Sequence, residues 1–442
     1  MRHAGPGPAG WLAAFREQAG QTGRGLDLLE SPPDWTPSLA DDPHCRVVFD
    51  GVLYNLGELR EQFAAQVPGA PTAADLVSQA YRRWGQDAIA RLKGIFAVII
   101  ADRARDLLLC ARDPLGIRPL FYAEVGQVLL LSPSIETLLA HPGVSSELNR
   151  ACLVDRLTRH WPANDETYHT RVRRVPPGHV MRVSNHDRRA DRYWNPVPAT
   201  GPMAWIPDDE APERFEALLR QAVARCLASG RAGIYVSGGL DSSTLAMLAA
   251  DLRREPEQAP CALSLIFSGI DRDEPARQRD LAAQLGMSHV QLPFGAAVGP
   301  EGTLGAALEM TRHMPAPLAL IWRPALQRLA GEGRERGCRV VLAGDGADEW
   351  LSTSAFVAAD LLRSLDIAGL FRLWQLYAGS FHFSRREAFR LVLWRYAARH
   401  LGRDAYYAAA SRLGARNLVR QRWHSAAIRA AASPPWIAPD PT

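Results

Sequence analysis

Lysine is all but missing from this sequence: of 51 basic residues only Lys93 is a lysine, and the others are arginine. No phosphate loop of the Gly-Lys-Ser/Thr kind can therefore stand in the second half of the chain. Cysteine is sparse as well. Cys45, Cys110, Cys152, Cys226, Cys261 and Cys338 lie far apart and form no Cys-x-x-Cys pair, which argues against zinc, iron–sulfur clusters and a disulfide frame and suits a reducing cytoplasm. The opening residues lack an apolar signal core, and no apolar run is long enough to span a bilayer. Charge of one sign is not in large excess either. A formal net charge of +4 over 442 residues, with arginines spread along the chain, does not point to nucleic acid, and an acidic peptide or a nucleotide is a sufficient partner. Apolar content of 47% and charged content of 22% are ordinary for a soluble globular protein, and the length allows two or three domains.

What is present concentrates in seven residues, Ser237-Gly238-Gly239-Leu240-Asp241-Ser242-Ser243. The apolar run Gly233-Ile234-Tyr235-Val236 before them reads as a strand, and Thr244 to Ala250 after them reads as a helix. A strand turning through paired glycines into a helix start aims free backbone N–H groups and a positive dipole end at one point, an anion site that usually takes phosphate. The serines add hydroxyl donors. Asp241 stands where a cation would be expected, and a carboxylate beside phosphates calls for a divalent ion between them, so the loop implies magnesium together with a nucleotide.

A second acidic turn fits the first. Arg339 to Ala343 reads as a buried strand, followed by Gly344-Asp345-Gly346-Ala347-Asp348-Glu349. Three carboxylates within five positions repel each other and make sense around a metal ion or a held ammonium group. In a parallel sheet ligands collect at the carboxyl ends of the strands, so both loops would open on one crevice.

These two segments, about a hundred residues apart, resemble the synthetase domain of the asparagine synthetase family. Ser264-Leu265-Ile266-Phe267-Ser268, then Asp273-Glu274 and the run to Leu285-Gly286-Met287-Ser288-His289, fit the same pattern. The resemblance implies an enzyme that activates a carboxylate with ATP, releases pyrophosphate and passes the acyl group to an amine. It implies that Asp241 and Asp348 hold magnesium, that Tyr235, Ser237, Gly238, Gly239, Ser242, Ser243, Phe267, Gly344 and Asp345 surround the nucleotide, and that Glu349, with Asp345, faces the reacting centre. The first half resembles the glutaminase half of the same family. Val47 to Asn55, Lys93-Gly94-Ile95-Phe96-Ala97, Ala111 through Tyr122 (with Arg112-Asp113-Pro114-Leu115-Gly116), and Val175-Pro176-Pro177-Gly178-His179 with Tyr193-Trp194 carry that likeness.

The residues for glutamine hydrolysis are missing from it. The family nucleophile is a cysteine at the mature N-terminus, whereas this chain starts Met1-Arg2-His3 and its first cysteine is Cys45. Asp50 replaces the oxyanion-hole asparagine and cannot stabilise a developing oxyanion. Val52 replaces a glutamate and Ala73 an aspartate that would hold the free amino acid. The domain reads as a scaffold, with Cys45 and Asp50 structural.

Without an ammonia source, the amine must come from the substrate. Relatives of this kind are β-lactam synthetases and lasso-peptide macrolactam cyclases. Gly10-Trp11 and the arginine- and tryptophan-rich stretch from Ala359-Asp360-Leu361-Leu362-Arg363 through Leu393-Trp394-Arg395-Tyr396 to Pro434-Pro435-Trp436-Ile437 favour the cyclases, since that stretch can line a peptide groove. Amphipathic packing explains the same stripe. The family's C-terminal Arg-x-Pro-Phe-Leu-Asp segment and its charge-steadying lysine are not seen before Thr442. Three readings follow: a peptide-cyclising ligase, with a leader-peptide-binding protein and a protease as partners; an asparagine synthase fed by ammonia; and a truncated non-catalytic nucleotide-binding homologue. His141, His179, His289 and His313 show no ligand spacing and read as structural.

The expected fold class is α/β. Residues 1–195 form a degenerate amidotransferase-like αββα sandwich, 196–212 a proline-rich linker, and 213–442 a doubly wound parallel-sheet nucleotide domain ending in helices. Within it, a helix is expected over Leu12 to Gln18 and another over Ala74 to Trp84, with strands at Phe96 to Ile100 and Leu107 to Cys110.

Overall fold

The computed structural model describes residues 12–16, 25–30, 37–158, 163–184, 187–196, 210–253, 259–267, 274–312, 314, 318, 320–351, 354–380, 384–399, 401–402 and 409. Gly10-Trp11, residues 197–209 of the expected linker, Ser268, Asp273, His313 and the tail from Ser433 to Thr442 lie outside them. The chain forms two compact units, Met1–Gly344 and Asp345–Thr442.

The first unit opens with two antiparallel sheets. One has five strands: β1 (Leu12–Arg16), β2 (Gly25–Glu30), β7 (Phe121–Val125), β8 (Val128–Ser132) and β9 (Val172–Arg174), in the order β2-β1-β8-β7-β9. The other has six: β3 (Ser38–Asp41), β4 (Cys45–Leu53), β5 (Gly94–Asp102), β6 (Leu107–Arg112), β10 (His179–Ser184) and β11 (Asp187–Arg192), in the order β11-β10-β6-β5-β4-β3. Alternation along β5 sets the layers. Phe96, Val98 and Ile100 pack outward with Leu76, Val77 and Ala80 of the helix Ala73–Trp84, while Ala97 and Ile99 pack inward with Phe15, Leu129 and Leu131 of the other sheet. A second outer layer packs Ile135 and Leu138 of the helix Ile135–Ala140 against Ala123 and Leu130. The result is the αββα sandwich expected.

The helix expected over Leu12 to Gln18 is instead the strand β1. Its side chains alternate between faces: Ala13 and Phe15 enter the inter-sheet core, and Leu12 turns to the outer one. Pairing with β8 on one side and β2 on the other satisfies its backbone and overrides a local pattern that fits either element. The expected helix at Ala74 to Trp84 forms as Ala73–Trp84, started by a capping box between Thr72 and Asp75.

The parallel sheet comprises β12 (Ala232–Tyr235), β13 (Cys261–Ile266), β14 (Ser288–Pro293) and β15 (Val340–Leu342), in the order β14-β13-β12-β15. All three pairings are parallel. Ile234, Val236, Ala246, Ala249 and Ala262 fill one face, and Cys261, Leu263, Val290 and Leu329 the other. The chain winds outward from β12 to β14 and then returns to the opposite side of β12, so the winding reverses between β12 and β15. That reversal is where ligands bind in doubly wound sheets. Among the described residues the second unit is helical, with Ala358, Leu361, Leu370, Leu373, Tyr377 and Val392 in its core. Among the described residues, no helix is long and apolar enough to cross a membrane.

Candidate active site

At the reversal, β12 ends at Tyr235, and Val236 leads into the Ser237–Ser243 loop, which enters the helix Leu240–Asp251. Gly238 has φ +82°, a conformation that costs glycine little. The N-cap residue is Gly239, whose own N–H donates to Ser237 Oγ at 3.3 Å, and no side chain caps the N–H groups of the first helical turn, as an anion site requires. Inside the loop the serines are organised around one another. Ser237 Oγ and Ser242 Oγ lie 3.0 Å apart, the Ser237 N–H donates to Ser242 Oγ at 3.2 Å, and Ser243 Oγ donates to the Gly239 carbonyl at 2.7 Å.

The strand beside it brings the second motif to the same place. A Cβ added at Gly344, after β15, would lie 3.2 Å from Asp241 Cβ and 3.4 Å from the Ser242 nitrogen. Only glycine permits this approach without movement. The structure thus brings together Ser237, Gly238, Gly239, Asp241, Ser242, Ser243 and Gly344. Asp345, Asp348 and Glu349 belong to the second unit, where they are exposed on a turn and the short helix Ala347–Leu351.

A hydrogen-bond chain runs across three strands below the loop. Ser264 Oγ donates to the Val236 carbonyl at 2.7 Å, and His289 Nε2 lies 2.9 Å from Ser264 Oγ. Because the hydroxyl proton is spent on Val236, the imidazole carries its proton on Nε2 and donates it to Ser264. Burial, with help from Arg279, lowers the pKa of His289 and keeps it neutral. His289 is structural, as expected.

Tyr235 sits at the end of β12 with its hydroxyl donating to the Leu326 carbonyl at 2.8 Å. Phe267, at the end of β13, stacks on Phe294 at a centroid distance of 4.8 Å and lies 5.2 Å from Trp322, which meets Phe294 edge-on. Phe294 and Trp322 were not singled out from sequence. The available signal was positional: Phe294 directly follows β14, and Trp322 directly precedes the helix Arg323–Glu335.

In the first half, the position of the expected oxyanion donor is closed from within. Asp50 is buried and paired with Arg118 at 2.5 Å. The segment bearing Arg118 is fixed by Asp113, whose carboxylate accepts from the N–H groups of Leu115, Ile117 and Arg118. Cys45 is buried with its Sγ 3.4 Å from Ser78 Oγ, and burial pushes its thiol pKa up. Neither residue is arranged for nucleophilic or oxyanion chemistry.

Residues 1–194 match the family described as glutamine amidotransferase domain, and residues 214–434 match the family described as asparagine synthase. A Mycobacterium bovis protein named "Putative asparagine synthetase", glutamine-hydrolyzing, is 31% identical over 378 residues, covering 79% of this chain and 55% of its own length. Amidase chyE of Penicillium rubens is 28% identical over 343 residues, covering 74% of this chain and 49% of its own. The chain spans about half the length of the curated relatives it matches. Among solved structures, the glutamine phosphoribosylpyrophosphate amidotransferase of B. subtilis aligns over 75% of this chain and 74% of its own, with 12% identity and a TM-score of 0.28.

Proposed function

Because the chain belongs to the asparagine synthetase family, we propose that it is an ATP-dependent carbon–nitrogen ligase. It activates a carboxylate by adenylation, releases pyrophosphate and forms an amide, and that amide closes a macrolactam within one peptide. The observation that carries the ligase reading is the seating of Gly344 against Asp241 at the sheet reversal, beside a helix start with no side-chain cap. In the proposal the backbone of Gly238 and Gly239 and the hydroxyls of Ser237, Ser242 and Ser243 bind polyphosphate. The Phe267–Phe294–Trp322 group offers an aromatic wall for the base.

Asp241 suits magnesium, a hard cation that takes one or two protein carboxylates and completes its shell with phosphate oxygens and water. Asp348, by its place in the Gly344–Glu349 motif, is proposed as its partner, and Glu349 and Asp345 as the acids of the reacting centre. When bound, the ion would neutralise charge on the departing pyrophosphate.

The buried Asp50–Arg118 pair supports an amine drawn from the substrate itself. It puts a carboxylate where glutamine hydrolysis needs a donor. A relative named an amidase rather than an asparagine synthetase is compatible with another acceptor. The test is pyrophosphate release from Mg·ATP by the full chain. Expected is release with a peptide that carries a free N-terminus and an internal Asp or Glu, with the product lighter by one water, and no glutamate from added glutamine. Release only with aspartate plus ammonia would make the chain an asparagine synthase. Tight nucleotide binding without turnover of either substrate would make it a non-catalytic homologue.

A further inference from the structure

A polyphosphate seated in the Ser237–Ser243 loop meets a carboxylate, Asp241, and no lysine: Lys93 is in the amidotransferase-like half, its ammonium 3.4 Å from the Ala90 carbonyl. Among the described residues, an arginine from another element packs on the loop at Gly238. At Gly238, an added Cβ would meet Arg277 Cβ at 3.8 Å, Gln278 Cγ at 3.9 Å and Arg277 Nε at 4.0 Å. The stem and the start of the guanidinium of Arg277 therefore lie along the glycine turn itself.

That placement is built. Arg277 stands in the first turn of the helix Glu274–Gln284. The next residue, Gln278, is 1% exposed. Its amide reaches the Leu265 carbonyl at 3.5 Å and Glu274 Oε1 at 3.3 Å. Gln291 of β14 donates to Gln278 Oε1 at 3.2 Å and to the Pro275 carbonyl at 2.9 Å. Two buried or half-buried amides thus fix this first turn to the carboxyl ends of β13 and β14, and so set where the exposed Arg277 side chain starts, the kind of support that orients a binding group. A cation so near the N-terminus of its own helix works against the helix dipole. A local preference broken in this way signals a role outside the helix.

We propose that Arg277 is the polyphosphate-binding cation of this site, taking phosphate oxygens of the nucleotide on the face of the loop at Gly238. A guanidinium is charged at every physiological pH and presents a planar fork of donors that matches two phosphate oxygens. The proposal rests on the nucleotide reading above, and the experiment separates the two.

Mg·ATP and adenosine are titrated calorimetrically into the full chain, as wild type and as Arg277→Lys, Arg277→Met and Arg277→Glu. Circular dichroism and thermal midpoints verify folding. Arg277→Met is expected to weaken Mg·ATP at least tenfold while adenosine affinity changes less than twofold. Arg277→Glu should weaken Mg·ATP further, and Arg277→Lys should recover part of the loss. Added salt should weaken ATP binding less steeply in Arg277→Met than in wild type, because one screened charge contact is gone. Wild-type and Arg277→Met protein binding Mg·ATP equally would overturn the inference and leave the nucleotide reading standing. Equal loss of ATP and adenosine would also overturn it, since Arg277 would then only support the fold. Wild-type protein binding neither ligand would overturn both.

Discussion

Gly344 and Gly238 are glycines for different reasons, and the difference makes a prediction at the level of single atoms. Gly238 is there for its conformation, φ +82°, and has room for a methyl group, with nothing nearer than 3.8 Å. Alanine there costs backbone strain of about 1 kcal/mol. Gly344 is there for space: its absent Cβ would press on Asp241 Cβ at 3.2 Å and on the Ser242 backbone nitrogen at 3.4 Å. A branched side chain at 344 must push the first turn of the Leu240–Asp251 helix away from β15. Gly344→Val is therefore expected to reduce Mg·ATP affinity at least tenfold by calorimetry, with the far-UV dichroism preserved. An unchanged affinity would detach Gly344 from the proposed nucleotide site. The motif Gly-Asp-Gly-Ala-Asp-Glu marks Gly344 in the sequence, but not the neighbour that forbids a side chain, because Asp241 lies about a hundred residues earlier.

Between elements, the chain His289–Ser264–Val236 ties β14, β13 and β12 together just where the loop leaves the sheet. Ser264 is 1% exposed, so no water can replace its hydroxyl freely. Ser264→Ala would leave the Val236 carbonyl and the His289 N–H without their partner, at a cost of about 1–3 kcal/mol. The expected result is a urea midpoint lowered accordingly and weaker Mg·ATP binding, because Val236 is the residue from which the loop departs. A variant as stable as wild type would show that neither group depends on Ser264. These bonds were not legible in the sequence, since Ser264 and His289 lie on different strands, Val236 directly follows a third, and His289 carried no ligand spacing. Elements with strong local signals were legible: the Ala73–Trp84 helix has a capping box and a continuous apolar face. The segment Leu12–Arg16 was not, because its short apolar run suits a helix or a strand and only β8 and β2, far along the chain or still to come, decide between them. The Ser237–Ser243 loop was readable for the opposite reason, its strand, glycines and helix start being contiguous.

For the whole molecule, the informative feature is that the sandwich and the parallel sheet share one compact unit. Arg225, on the helix Glu210–Leu227, forms two hydrogen bonds of 2.8 and 3.2 Å with the Glu58 carboxylate of the amidotransferase-like half, and Arg156 reaches the Leu318 carbonyl at 3.4 Å. The exposed ion pair alone contributes at most about 1 kcal/mol, yet two halves folded as one body should lose structure together. Acid offers a way to test that from one side only. Asp102, at the end of β5, is buried, and burial alone would raise its pKa. Hydrogen bonds from the Tyr81 hydroxyl at 2.7 Å and from the Arg105 backbone and guanidinium at 2.9 and 2.8 Å outweigh burial and hold the carboxyl below its ordinary value of 3.8. A depressed carboxylate contributes stability that is complete above its unfolded pKa and is lost as pH falls through its folded one. Urea midpoints should therefore fall below about pH 4, and Asp102→Asn should flatten that part of the curve while lowering stability at neutral pH. If the halves unfold as one, Mg·ATP binding at the parallel sheet will vanish at the same denaturant midpoint as the near-ultraviolet signal of the sandwich, in wild type and in Asp102→Asn alike. Two separated midpoints would mean that the amidotransferase-like half is an independent passenger, and that the parallel-sheet half holds together without it.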